Sequence, residues 1–88
     1  MALQIRELKS LGPKSQEMLA RAGIHTVAQL RELGSVEAYV LTKRKCEGVS
    51  LNLLWALESA LTGDPWQQVA KQHRTSLLIA VDEREKYI

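Results

Sequence analysis

Leu51-Asn52-Leu53-Leu54-Trp55-Ala56-Leu57-Glu58-Ser59-Ala60-Leu61 is the most apolar stretch of the chain. Its apolar positions occupy most of the circumference of a helix, the pattern of an element surrounded by others rather than laid on a surface. Ser50 precedes it as an expected N-cap, and Thr62-Gly63 closes it. This segment is expected to be a central helix around which the rest of the chain packs.

Outward from it, apolar residues recur at helical spacing and never alternate over a length useful to a strand. Upstream, a first helix is expected over about Ala2 to Lys9, ending at Leu11-Gly12-Pro13. A second runs from Pro13 to Ala22 with Met18, Leu19 and Ala22 inward, and Gly23 ends it. Thr26 caps a short third helix carrying Val27, Leu30 and Leu33, which Gly34 stops. Ser35 is the expected cap of a fourth, with Val36, Tyr39 and Val40 buried and Lys43-Arg44-Lys45 at its C-terminus. Downstream, Asp64-Pro65-Trp66-Gln67 restarts a helix with an acidic cap. A final helix is expected through Leu77, Leu78 and Val81 to about Arg84, with one face on the central helix and a fraying charged tail. Residues 1–88 thus read as a single all-α domain of five to six short helices.

Composition narrows the function. A chain of 88 residues with 45% hydrophobic and 25% charged residues buries one modest core and cannot enclose a deep substrate chamber. Cys46 is the only cysteine, so neither an internal disulfide nor a cysteine-built structural metal site fits within one chain. His25 and His73 stand at no ligand spacing from each other or from Cys46, and no Walker loop or triad spacing is present. The expectation is a non-enzymatic protein with no cofactor, metal or small-molecule substrate. No apolar run reaches the roughly 20 residues of a membrane span, and the N-terminal segment carries Arg6 and Glu7, unlike a signal peptide. A cytoplasmic protein without membrane attachment is expected.

Net charge is only +2, but it is uneven. Residues 1–45 hold eight basic and four acidic side chains, a balance of +4; residues 46–88 hold four basic and six acidic, a balance of −2. An anionic partner would approach the N-terminal half. Trp55 and Trp66 are expected in the core or at its edge, leaving little aromatic surface for stacking on single strands. Asn52 lies in the first turn of the central helix, where a capping or buried-network role is expected.

Leu8-Lys9-Ser10-Leu11-Gly12-Pro13-Lys14-Ser15, followed by Ala22-Gly23-Ile24-His25-Thr26-Val27, resembles a helix-hairpin-helix motif. In that motif a tight hairpin lets backbone N–H groups approach a phosphate while a nearby cation adds charge. Gly12 matches the second hairpin glycine, Leu11 the apolar position and Lys14 the basic one; Ser10 stands in place of the first glycine, where a Cβ restricts the backbone. With Lys43, Arg44 and Lys45, these residues are the candidate phosphate contacts. Two plainer roles stand beside them: a hairpin that joins two packed helices, and a charge run that complements a helix terminus.

Over nearly the whole chain, Leu11-Gly12-Pro13-Lys14-Ser15, Ala22-Gly23-Ile24-His25-Thr26, Leu33-Gly34-Ser35-Val36-Glu37-Ala38-Tyr39, Val49 to Glu58 and Leu61-Thr62-Gly63 resemble the C-terminal domain of the TfoX/Sxy family of bacterial competence regulators. The resemblance implies a small all-α domain of helix-hairpin-helix character. In relatives it commonly accompanies a separate α/β N-terminal domain, which these residues do not include. It further implies a regulatory module acting on transcription of competence or related genes through protein contacts; the alternative, read from the hairpin residues and the Lys43–Lys45 cluster, is weak, sequence-independent DNA binding. A protein partner or a homodimer is expected, and Ile79, pointing away from Leu77 and Val81, is the candidate docking residue.

Overall fold

A computed structural model describes residues 4–86; Ala2, the expected start of the first helix, and Tyr87 lie outside them. Among the described residues there are five α-helices, one 3-10 turn and no strand. The turn, Ile5–Glu7, is followed by α1 (Pro13–Arg21), α2 (Val27–Lys45), α3 (Leu51–Thr62), α4 (Trp66–Gln72) and α5 (Arg74–Lys86). The all-α expectation is met. The expected first helix is instead a single 3-10 turn, fastened by Glu7, whose carboxylate accepts from the Gln4 N–H at 3.1 Å, and by the fully buried Ile5.

The central segment behaves as its composition dictates. Leu54 and Leu57 are fully buried, Leu53 and Trp55 nearly so, and α3 packs on both α2 and α4. Truncating Leu54 or Leu57 to alanine is expected to destabilise the domain by about 2–5 kcal/mol, a large share of what so small a fold has. The final helix differs from expectation, because α5 packs chiefly on α2 and α4 rather than on the central helix. Its charged end, where a fraying tail is expected, is helical through Lys86 and paired to α2. The Arg84 guanidinium donates through both Nε and Nη2 to the Glu37 carboxylate of α2, and Lys43 Nζ lies 3.5 Å from Glu85.

Two glycines set the corners. Gly23, at φ +85°, ends α1 in a Schellman arrangement: the Ile24 N–H donates to the Leu19 carbonyl and the Gly23 N–H to that of Ala20, and both apolar flanks, Leu19 and Ile24, are buried. Gly34 sits inside α2 at φ 82°, ψ 169°, a conformation open essentially to glycine, so α2 is two helical segments meeting at a kink where the sequence marks a stop. Thr26 caps the first segment, accepting from the Gln29 N–H at 3.1 Å, while the Gln29 side chain accepts from the Thr26 and His25 N–H groups. His25 therefore contributes its backbone to this helix start.

Three expected caps are not formed. Ser35 directs its hydroxyl to Glu58 Oε1 of α3 at 2.8 Å, Ser50 makes no side-chain cap on α3, and the N-cap of α4 is Pro65, not Asp64. For Ser35 the competitor is the Glu58 carboxylate of α3, while Ser50 holds the N-cap position of α3 without a side-chain bond. No buried side-chain nitrogen or oxygen among the described residues lacks a hydrogen-bond partner. No helix there is long and apolar enough to cross a membrane.

Candidate functional site

The hairpin is built on an unusual residue. Ser10 takes φ 68°, the left-handed conformation usually left to glycine, while Gly12 is extended at φ −141°. Ser10 thus fills the first glycine's conformational role despite its Cβ. Its hydroxyl lies 3.0 Å from that of Ser59, and Ser59, fully buried in α3, donates to the Asp64 carbonyl at 2.5 Å. With the Ser59 proton committed to Asp64, Ser10 is the donor of the first bond. Lys9 adds a second tie, Nζ to the Gly63 carbonyl at 3.2 Å, where a cation meets the negative end of α3. One face of the hairpin is therefore bound to the α3–α4 connection. Leu11 is buried and its N–H is taken by the Leu8 carbonyl at 3.2 Å, so neither its side chain nor its backbone donor is presented to a phosphate. Gly12 serves as the N-cap position of α1.

The other face of the hairpin borders a groove of about 410 Å³ between α1 and α3. Met18, Val49, Leu53 and Ala56 form its apolar floor; Ser10, Lys14, Ser15, Ser50, Asn52 and Trp66 stand around it. Trp66 is 43% exposed, at the margin of this groove rather than in the core or at its edge. Asn52 is exposed on the same margin and closes no buried network. Lys14 is the only ionisable side chain among the lining residues, so the groove brings together no acid–base pair of the kind catalysis requires.

Two further depressions adjoin the groove through shared lining residues. One runs along Lys43, Arg44, Lys45 and the 46–49 connector; the other lies between Lys14, Glu17 and Arg21 of α1 and Cys46-Glu47. The fold therefore gathers Lys14 and the Lys43–Lys45 run, far apart in sequence, onto one continuous face. The link is the connector after α2, drawn against α1 by the buried Cys46, whose thiol points to the Met18 carbonyl at 3.7 Å. Within the basic run, Lys43 is engaged with Glu85 and stands 6.0 Å from the Tyr39 ring centroid, whereas Arg44 and Lys45 join no ion pair among the described residues.

Ile79, on α5, is 54% exposed while Leu77 and Val81 are buried. The residues missed in the sequence are the long-range pairs: Glu37 with Arg84, and Ser10 with Ser59. Arg84 holds the Glu37 carboxyl below its ordinary range, chiefly through the hydrogen bond it donates; partial burial of the carboxyl opposes this and Arg44 adds a smaller electrostatic contribution. His73 Nε2 lies 4.0 Å from Asp64 Oδ2 across α4, and no group of three or more metal-ligating side chains is assembled among the described residues.

The family model of the TfoX C-terminal domain matches residues 1–81. The DNA transformation protein TfoX of Haemophilus influenzae is 31% identical over 80 residues, which are 91% of this chain but 37% of that protein. The chain thus spans little more than a third of that relative's length. Two crystal structures from Listeria monocytogenes share the fold at 28% identity. An uncharacterized protein in a triclinic form has a TM-score of 0.80 over 94% of both chains. A protein of unknown function in a tetragonal form has a TM-score of 0.78 over 90% of this chain and 98% of its own.

Proposed function

The chain belongs to the TfoX C-terminal domain family, and from that premise we propose that it is a non-enzymatic regulatory module, acting in competence or related gene control through protein contacts. The observation that carries this reading is the α1–α3 groove, with an apolar floor, an exposed tryptophan beside it and a single ionisable lining residue. Such a surface binds apolar side chains; it offers no nucleophile activated by a neighbouring base. The name of the Haemophilus relative, a DNA transformation protein, supports the regulatory setting.

Weak, sequence-independent duplex binding is the second reading, favoured by the gathering of Lys14, Arg44 and Lys45 on one face. The two separate in one experiment. The immobilised chain is exposed to lysate of the source organism with and without nuclease, and eluted across a salt series. Protein contacts predict capture that survives nuclease and moderate salt, because burial of apolar area is only weakly screened, whereas phosphate contacts fall steeply with salt. Capture lost entirely on nuclease treatment overturns the first reading in favour of the second.

A further inference from the structure

We propose that the α1–α3 groove docks an acidic amphipathic helix of a protein partner, its apolar anchors on Met18, Leu53, Ala56 and Trp66 and its carboxylates toward the basic margin. This rests on the protein-contact reading and specifies the partner's chemistry.

The shape of the opening supports a helix. α1 packs chiefly on α2 and on the 3-10 turn, and α3 on α2 and α4, so α1 and α3 flank the groove without closing on each other. A helix laid there would present a stripe of residues at i, i+3, i+4 and i+7 to the floor, the usual way an amphipathic segment enters an apolar groove. Trp66, large, rigid and half-exposed, is the type of side chain that anchors such contacts.

Charge complementarity selects the sign of the partner. The groove and its two adjoining depressions carry five cations and two carboxylates, a balance of +3 on a chain whose total is +2, so the remaining surface is slightly acidic. Two of those cations are already paired, Arg21 with Glu17 at 2.8 Å and Lys43 with Glu85 at 3.5 Å, which leaves Lys14, Arg44 and Lys45 beside the one carboxylate Glu47. The first turns of α1 and α3 also border the groove, and neither has a side-chain cap, which adds partial positive charge where carboxylates would lie. A nucleic acid fits less well, because its charge would lie over an apolar floor while the cations stand at the margin. Few phosphates could be neutralised by so small a basic set.

The test uses the full chain and a fluorescein-labelled synthetic helix of about 16 residues, with leucine along one stripe and glutamate elsewhere. A lysine-for-glutamate copy, a duplex and a single-stranded oligonucleotide are run beside it. The acidic peptide is expected to raise anisotropy and shift tryptophan emission to the blue, a shift absent in Trp66→Phe. The lysine copy should bind at least roughly tenfold more weakly, as should the acidic peptide to Lys14→Glu. Ala56→Gln, which fills the floor without adding charge, should abolish peptide binding while circular dichroism and the thermal midpoint stay near the parent's. Equal binding of the two peptides, binding undisturbed by Ala56→Gln, or binding of the oligonucleotides alone overturns the proposal. If nuclease-resistant capture from lysate persists undiminished in Ala56→Gln, the docking groove is eliminated while the broader protein-contact function stands.

Discussion

The Ser10 hydroxyl donates to Ser59 Oγ across 3.0 Å, so a residue held in a glycine-like conformation is tied to a fully buried side chain of the central helix. The two features of Ser10 oppose each other. Its Cβ makes positive φ unfavourable by about 1 kcal/mol, and its hydroxyl recovers a similar amount through the hydrogen bond.

Substitutions at this position separate those contributions. Ser10→Ala keeps the backbone penalty and loses the bond, and is expected to lower stability by about 1 kcal/mol, a fall of roughly 4–8 °C in thermal midpoint for a domain of this size. Ser10→Gly loses the bond but relieves the backbone and should stay close to the parent. Equal losses in the two variants on thermal denaturation would show that the conformation carries no penalty here.

Gly34 offers a second backbone test. A Cβ built there meets nothing within 4 Å, so an alanine would encounter no steric neighbour, yet φ +82° with ψ 169° is closed to it. Gly34→Ala is expected to destabilise by about 1–3 kcal/mol purely through backbone strain. A chemical denaturation midpoint unchanged in this variant would mean that the kink straightens without loss.

The pair joining α2 to α5 predicts a pH dependence. The Glu37 carboxyl lies below its ordinary value in the folded chain because Arg84 donates hydrogen bonds to it. A depressed carboxyl contributes stability that is present above its unfolded pKa and is lost as pH falls through the folded one. Urea titrations between neutral pH and the acid range should therefore show a loss that Glu37→Gln lacks, with the two proteins converging at the lowest pH. The effect should be modest, since the Arg84 side chain is 39% exposed and solvent screens the pair. Parallel pH profiles for parent and variant would remove Glu37 as a source of acid sensitivity.

Ile79 tests association through α5. More than half exposed between the buried Leu77 and Val81, it is expected to tolerate Ile79→Asp with little change in folding stability. Sedimentation at tens of micromolar should show the parent self-associating and the variant monomeric. A parent that is already monomeric eliminates the homodimer, and partner capture unaffected by the substitution eliminates docking through this residue.

Much of the architecture is decided by short-range chemistry that the sequence displays directly. The apolar circumference of Leu51–Leu61 determines a buried helix, Thr26 with Gln29 forms a helix start, and Gly23 and Gly34 stand where the chain needs conformations other residues resist. The signals that misled are those for which a tertiary partner competes: Ser35 reaches Glu58 instead of capping, Trp66 is left at a groove margin, and the stretch before the hairpin shortens to one 3-10 turn. Only the tertiary structure decides that Arg84 meets Glu37, that Ser10 meets Ser59, and that Lys14 shares a face with Lys43–Lys45. Helical periodicity reports which side of each element is apolar, whereas these meetings depend on the angles at which helices cross and on where the 46–50 connector is pinned, quantities set by packing across the whole core.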